Sequence, residues 1–445
     1  MLACGHEREP FGSPVCLHLR TCREPWLNYV KWYTGVGMKI ELLCNSCAAE
    51  RGRGASITAE NVCQECFQLA INEFAELDGV RGKPEVRVRA EAFDSDLREV
   101  GLPKEIGKIA DASPVDDASR SLWLLLTEDS RIFRFDADTG DLQWLADVSL
   151  ALESDRKPWC DHALRRKLHA SPCGAFAAVV NDCGRYGQII DLRSRRVTAV
   201  LDGGDYHAET VPYSFAFAKV GGRVVAIHRT AWNRLDISDP STGSVLTSRG
   251  PTSYQRGQDR PEHYLDYFHG ALVVSPTYVR IADDGWVWHP FGMPAAWSLE
   301  PWLSENVWES EDGASMRLIC ARDYYWGHAL TWLDDHRIAV GGIGDDDLEI
   351  VDGVRIFDIT LSAESDSSSA ASRWCRELTA FTGPAGAFFS DGRSLFSSAD
   401  EGFSRWDVEG GARTGFLPGF KPQFHHRGAG ELVHLVDNTL IRWKT

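Results

Sequence analysis

The sequence lacks the features that send a chain into or across a membrane. No apolar run approaches the roughly 18 residues of a membrane span, and the chain does not open with a charged segment followed by an apolar one. From these absences we expect that the chain has no membrane-spanning segment and no secretory signal peptide. The motifs Gly-x-Ser-x-Gly, Gly-Lys-Ser/Thr after a glycine-rich loop, and His-Glu-x-x-His are also absent, and we therefore expect no enzyme of those classes.

Positive charge is scarce. The 445 residues carry 47 Lys and Arg against 64 Asp and Glu, a formal net charge of -17. The deficit is spread along the chain, because residues 1–78 hold 7 basic and 10 acidic residues and the rest hold 40 and 54. A nucleic-acid reader needs a basic surface to displace counterions, so that function is excluded. The acidity suits either a well-solvated surface or a cationic protein partner.

Cysteines are rare outside the first 66 residues. Seven of the twelve lie there, and the other five are scattered singly through the remainder. This distribution favours metal binding over a disulfide framework, and it predicts a reducing, cytoplasmic location.

Four short ligand pairs occupy that N-terminal segment. They are Cys4-x-His6, Cys16-x-His18, Cys44-x-x-Cys47 and Cys63-x-x-Cys66. Eight Cys and His side chains are the number that two tetrahedral zinc ions require, and closed shells of this kind leave no open position for chemistry. We therefore predict two structural zinc ions whose binding stabilises a segment with little core of its own.

The pattern of apolar and polar residues changes near residue 80. A helix is predicted over 58–77, where apolar residues recur at helical spacing. From Pro84 onward, short alternating segments rich in Val, Ile, Phe and Trp are separated by turn clusters such as Asp138-Thr139-Gly140, a pattern typical of β-strands. We therefore predict a two-zinc module over 1–80 and an all-β domain over 84–445.

The all-β domain contains a repeat. An aromatic or aliphatic residue followed by Asp ends a strand at five places, with steps of 55, 45, 122 and 49 residues. These pairs are Phe135-Asp136, Ile190-Asp191, Leu235-Asp236, Phe357-Asp358 and Trp406-Asp407. A sixth unit fits in the long gap, where Gly285 to Pro290 supplies a strand, and Ile441 to Lys444 supplies a seventh. The count favours a seven-bladed β-propeller, although the spacing also admits six or eight blades.

A ring of sheets must not leave an edge open. We expect the missing outer strand of the last unit to come from residues 84–90, which alternate correctly, so that they pair with the C-terminal blade. The Trp406-Asp407 pair in "FSRWDVEGG" resembles the signature of WD40-type propellers, and this resemblance covers residues 84–445.

The N-terminal pairs resemble a RING or treble-clef finger. The segment "ACGH…VCLHL…LLCNSC…VCQECF" is also similar to the zinc-bearing heads of uncharacterised bacterial proteins. The resemblance to a cross-braced finger implies that the first and third pairs hold one zinc and the second and fourth the other, and a small α+β fold. Cys22 is an alternative ligand that could replace His6 or His18.

Aromatic residues in several predicted loops suit a docking surface, because large rigid side chains dominate protein-binding hot spots. The candidates are Tyr264, Tyr267, Trp302, Tyr324, Tyr325 and Trp326. Together with the acidity, they favour a non-catalytic protein-binding module. Its biological role could be that of a bacterial immunity or antitoxin-type protein that neutralises a cationic toxin by binding it. Two alternatives are a scaffold or ubiquitin-ligase-like adaptor, and an enzyme with its site in the central channel of the propeller.

Overall fold

The fold is an all-β propeller of seven blades. The computed structural model describes residues 10–16, 29–34, 39–52, 56–63, 86–89, 91, 93–153, 164–288, 290–345, 350–362 and 373–445. The predicted blade count is confirmed. Within these residues, no helix is both long and apolar enough to cross a membrane.

A separate four-stranded sheet precedes the propeller, in the order β2-β3-β1-β4. Its elements are β1 (Pro10–Cys16), β2 (Tyr29–Thr34), β3 (Lys39–Cys44), helix α1 (Asn45–Gly52) and β4 (Ala59–Cys63). Strand β1 runs parallel to β3 and antiparallel to β4. The predicted helix over 58–77 is wrong at its start, because Ala59–Cys63 pair as a strand, and residues 64–77 lie outside the described residues.

Each blade is an antiparallel sheet whose first strand faces the central axis. Blades 1 and 2 are β6 (Ile109–Pro114), β7 (Leu122–Thr127), β8 (Arg131–Asp136), β9 (Leu142–Asp147), then β10 (Arg165–Ala170), β11 (Phe176–Asp182), β12 (Tyr186–Asp191) and β13 (Arg196–Asp202). Blades 5 and 6 are β23 (Leu330–Trp332), β24 (Arg337–Ile343), β25 (Val351–Ser362), β26 (Cys375–Thr382), then β27 (Ala387–Ser390), β28 (Ser394–Ala399), β29 (Gly402–Asp407) and β30 (Ala412–Pro418).

Blades 3 and 4 depart from four strands. Blade 3 has β14 (Phe215–Val220), β15 (Arg223–Ala231) and β16 (Arg234–Ser238), and residues 245–247 take the place of a fourth strand through a Ser238–Val245 bridge. Blade 4 has β17 (Phe268–Val274), β18 (Arg280–Val287), β19 (Phe291–Gly292), β20 (Ala295–Ser298), β21 (Arg317–Leu318) and β22 (Arg322–Asp323). Helices α2 (Leu299–Ser304) and α3 (Glu309–Asp312) lie between β20 and β21. The 122-residue step in the repeat runs from the third strand of blade 3 to the third strand of blade 5, so it spans two blades and includes this insertion.

The blades are held together by side chains that alternate between the two faces of each sheet. In β7, Leu124 and Leu126 pack with Leu168 and Val179 of blade 2. The intervening Trp123 and Leu125 pack on the other side with Val433 and Leu440 of blade 7. A strand buried on both faces reads as a continuous apolar run, which is what the segment Leu122–Thr127 shows.

All five Asp residues of the repeat lie in third strands, but only three of them end the strand as predicted. Asp136, Asp191 and Asp407 are the last residues of β8, β12 and β29. The Asp191 carboxylate accepts hydrogen bonds from the backbone N–H groups of Arg193 and Ser194 at 2.9 and 3.3 Å. This turn chemistry is the role that Asp commonly plays after a strand.

The strand that closes the ring is not the predicted one. Blade 7 contains β31 (Phe424–His426), β32 (Glu431–Val436) and β33 (Thr439–Lys444), and its outer strand is β5 (Arg98–Gly101). Of the predicted segment 84–90 the structure describes residues 86–89, and there Val88 forms a parallel bridge with Arg413 of blade 6. The closing strand has to end close to the start of β6, and β5 reaches it through a short link that contains a 3-10 turn at Lys104–Ile106.

Candidate functional site

Three of the predicted metal ligands meet in the N-terminal sheet. Cys16 ends β1, Cys44 ends β3, and Cys47 lies in the first turn of α1. Because β1 and β3 run parallel, with Val15 opposite Leu42, their C-terminal cysteines arrive at the same edge. The three sulfur atoms lie within 4.8 Å of one another.

The geometry of this thiol cluster fits one metal ion. Zn–S bonds of about 2.3 Å in a tetrahedron place sulfur atoms about 3.8 Å apart, so three thiols within 4.8 Å of one another can supply three of the four ligands of such a site. The backbone N–H of Cys44 donates to Cys16 Sγ at 3.3 Å, and that of Cys47 to Cys44 Sγ at 3.5 Å. Burial, together with the adjacent Cys44 and Cys16, raises the pKa of Cys47 to about 12. A bound cation would offset the cost of ionising thiols held so close together.

The ligand pairing differs from the one implied by the cross-braced resemblance. Cys16 of the second pair lies with Cys44 and Cys47 of the third pair, whereas the second and third pairs were expected to hold different ions. The reason is the parallel β1–β3 pairing, which joins the ends of these two strands. Cys63 ends β4 opposite Pro10, at the far end of β1 from Cys16. The other predicted ligands, Cys4, His6, His18 and Cys66, and the alternative Cys22, lie outside the described residues.

One face of the propeller gathers most of the predicted aromatic loops. Because successive strands of a blade run antiparallel, the loop entering each first strand and the turn between the second and third strands emerge on the same face. This face therefore carries residues 203–214, 231–233, 250–267, 288, 290 and 324–329 of blades 3 to 5.

Seven rings on this face form a continuous cluster, here called the aromatic surface. Its members are Tyr206, His207, Trp232, Phe268, Trp286, Trp288 and Trp326. Phe268 and Trp286 are buried and stacked with centroids 4.2 Å apart, and Trp326 stacks on Trp286 at 5.1 Å. Tyr206 and Trp288 remain 45% and 40% exposed above this base. The buried rings thus hold two large exposed side chains in fixed positions.

Hydrogen bonds connect the loops beneath the aromatic surface. Trp326 Nε1 donates to the carbonyl oxygen of Thr210 at 3.2 Å, which joins the loops entering blades 5 and 3. The Asn233 amide donates to the carbonyl oxygens of Thr252 and Leu265 at 3.0 and 2.9 Å. These contacts make the face of blades 3 to 5 one preorganised surface.

The predicted partner-binding residues divide between surface and core. Tyr324 is 64% exposed, while Tyr264, Tyr325 and Trp326 are partly buried. Two of the predictions are wrong, because Tyr267 and Trp302 are buried. The Tyr267 hydroxyl donates a hydrogen bond to the Met293 carbonyl oxygen at 3.0 Å, and Trp302 Nε1 donates one to the Val307 carbonyl oxygen at 3.2 Å. Both side chains satisfy their polar atoms inside the protein and offer no surface to a partner.

Sequence reasoning missed most of the aromatic surface. Trp286 and Trp288 lie in a segment that is predicted only as a strand. Tyr206, His207 and Trp232 are not among the predicted partner-binding residues. Trp286-x-Trp288 straddles the end of β18, where a strand passes into a turn. Aromatic residues at strand ends on the same face are the signal that could have located it.

Comparisons with known proteins add little. Neither a protein-family model nor a curated protein matches the chain. Matching solved structures include a chain of one titled "Crystal Structure of Mitotic Checkpoint Complex", with 13% identity and a TM-score of 0.43, covering 81% of this chain and 98% of that chain.

Proposed function

We propose that this protein is a non-catalytic interaction module that binds a partner protein on its aromatic surface. The observation that carries the proposal is the pair of exposed rings, Tyr206 and Trp288, supported by a buried ring stack. Rigid aromatic side chains bury a large area at a small entropic cost, and they dominate binding energy in protein interfaces. The hydrogen-bonded loops beneath them reduce the cost of ordering the surface on binding.

The partner that fits best is cationic. The chain has a net charge of -17, and the loop 203–214 beside the exposed rings carries Asp205 and Glu209 but neither Lys nor Arg. Asp205 is 85% exposed. A basic toxin, neutralised in the cytoplasm by an immunity or antitoxin-type protein, matches this charge. The cytoplasmic location is proposed from the distribution of the cysteines along the chain, which suits metal binding rather than a disulfide framework.

A double substitution tests the docking surface. We expect Tyr206→Ala/Trp288→Ala to weaken partner binding at least about 30-fold, since truncating hot-spot residues costs about 2 kcal/mol or more. The measurement is affinity purification against the products of neighbouring genes, followed by titration of the recovered partner.

The matched control is Trp144→Ala/Phe416→Ala, which removes two rings of 38% and 37% exposure from the outer strands of blades 1 and 6. This variant should bind as the unaltered protein does. Equal binding by all three proteins would contradict the proposed surface. Recovery of no basic partner, with no protection on co-expression, would contradict the neutralising role.

The N-terminal segment is proposed to hold two structural zinc ions, one of them at Cys16, Cys44 and Cys47. We expect Cys44→Ser to lose about one equivalent of zinc from the full-length protein, because the thiolate is the ligand. Metal analysis by mass spectrometry measures the loss. Cys173→Ser, which alters an exposed cysteine of the propeller, should lose none, and retention of all zinc by Cys44→Ser would show that the thiol cluster is not a site.

A further inference from the structure

A large cavity opens on the same face of the propeller as the aromatic surface, but at blades 7, 1 and 2 rather than at blades 3 to 5. Its volume is about 960 Å³. It lies between the first strands of blades 7, 1 and 2 and under the link from β5 to β6, with Gln423, Ile109 and Lys167 among its lining residues. A volume of this size is within the range of roughly 300–1,000 Å³ typical of ligand sites.

The lining of this cavity has the opposite charge to the protein. Four basic side chains line it, Lys104, Lys108, Arg165 and Lys167, against two acidic ones, Asp111 and Asp437. The local balance is therefore 4 - 2 = +2, within a chain whose net charge is -17. In a protein with an excess of acidic residues, such a concentration of cations around one cavity requires an explanation.

The strand geometry places the cations together. Arg165 and Lys167 are two residues apart on β10, so their side chains lie on the same side of the strand. The next residue, Leu168, is buried in the hydrophobic core between blades 1 and 2. The Asp111 carboxylate is already bonded, since it accepts from the backbone N–H groups of Leu168 and Ala112 at 2.7 and 2.9 Å. Its charge also interacts with those of Lys167 and Arg165, without a hydrogen bond to either side chain.

The cations are only weakly neutralised by the protein itself. Lys108 pairs with Glu128 at 2.6 Å and Arg165 with Asp182 at 3.4 Å, but both basic side chains are more than 70% exposed. Exposed pairs of this kind contribute little and exchange readily. Among the described residues, Lys104 and Lys167 form no ion pair.

We propose that this cavity binds a polyanionic ligand that presents two or more carboxylate or phosphate groups. Mutually repelling cations around one concave site would each gain a charge-assisted hydrogen bond from such a ligand. Lys104 and Lys167 are the residues that we assign to it first, because they approach from different elements and neither forms a direct ion pair among the described residues.

Titration calorimetry of the full-length protein tests the proposal with two probes, tripolyphosphate and a hexaglutamate peptide. We expect at least one probe to bind, with an affinity that falls as salt is added. Lys104→Gln/Lys167→Gln should weaken binding at least about tenfold, the effect of one lost charge-assisted hydrogen bond. Binding of tripolyphosphate alone would identify phosphate as the ligand group, and binding of the peptide alone would identify carboxylate.

The control for non-specific charge is Arg193→Gln/Arg393→Gln. It removes the same two charges from exposed turns on the opposite face, between β12 and β13 and between β27 and β28. This variant should bind the probe as the unaltered protein does. The proposal is overturned if neither probe binds at millimolar concentration, or if the two double variants lose affinity equally.

Discussion

Replacing Arg442 by methionine is expected to lower the free energy of unfolding by about 3–5 kcal/mol, the cost of removing one partner of a buried ion pair. Arg442 is 6% exposed and lies on β33, beside the seam where the propeller closes. Its guanidinium donates to Glu431 at 3.0 Å within blade 7, and to Asp138 and the Ala137 carbonyl oxygen of blade 1 at 2.7 and 3.0 Å. Without it, the fully buried Glu431 loses its closest cation.

Chemical denaturation followed by tryptophan fluorescence measures this effect. Lys421→Gln is the control, because the Lys421–Asp400 pair is exposed and should contribute less than about 1 kcal/mol. A second substitution, Glu431→Gln in the Arg442→Met background, should recover part of the loss, since it removes a buried charge that has lost its closest cation. A loss below 1 kcal/mol for Arg442→Met would mean that this network does not hold the seam.

Replacing Arg249 by leucine is expected to destabilise the protein by a similar amount, about 3–5 kcal/mol. Blade 3 lacks a regular fourth strand, and Arg249 follows the residues that replace it. The side chain is 1% exposed, pairs with Asp236 at 2.6 Å and donates to Glu311 of α3. It also donates to the Leu235 carbonyl oxygen at 2.9 Å. One guanidinium thus joins blade 3 to the insertion of blade 4.

The same unfolding measurement applies to this variant. Arg223→Leu is a matched control on the same blade, because Arg223 is 59% exposed and lies 3.7 Å from its partner Asp239. It should change stability by less than about 1 kcal/mol. If Arg249→Leu unfolds as the control does, hydrophobic packing alone fixes the edge of blade 3.

The blade count could be predicted from the sequence because inner strands carry a strong signal. Segments such as Leu122–Thr127 are buried on both faces, and an apolar residue followed by Asp occurs in the third strands of five of the seven blades. The closing strand could not be predicted in the same way. Arg98–Gly101 is largely exposed and contains one apolar residue, Val100, so its pairing depends on its position before β6 rather than on its composition.

The candidate surface was predicted only in part for a related reason. Trp302 and Tyr324 are indistinguishable as aromatic loop residues in the sequence, yet one is fully buried and the other 64% exposed. The difference arises from the insertion in blade 4, whose helix α2 packs Trp302 against Trp297 at 5.6 Å. Clustering of the rings likewise depends on loops that are far apart in the chain.

The segment around Val88 affects how copies of the protein can meet. Its backbone exchanges two hydrogen bonds with Arg413 on the outer strand of blade 6, from Arg89 N–H at 3.0 Å and to the Arg87 carbonyl oxygen at 2.7 Å. An uncovered outer strand is a template for adding a strand from another molecule. Since this segment already occupies that template, blade 6 is shielded from intermolecular sheet extension along this stretch, the first step toward fibre-like aggregates.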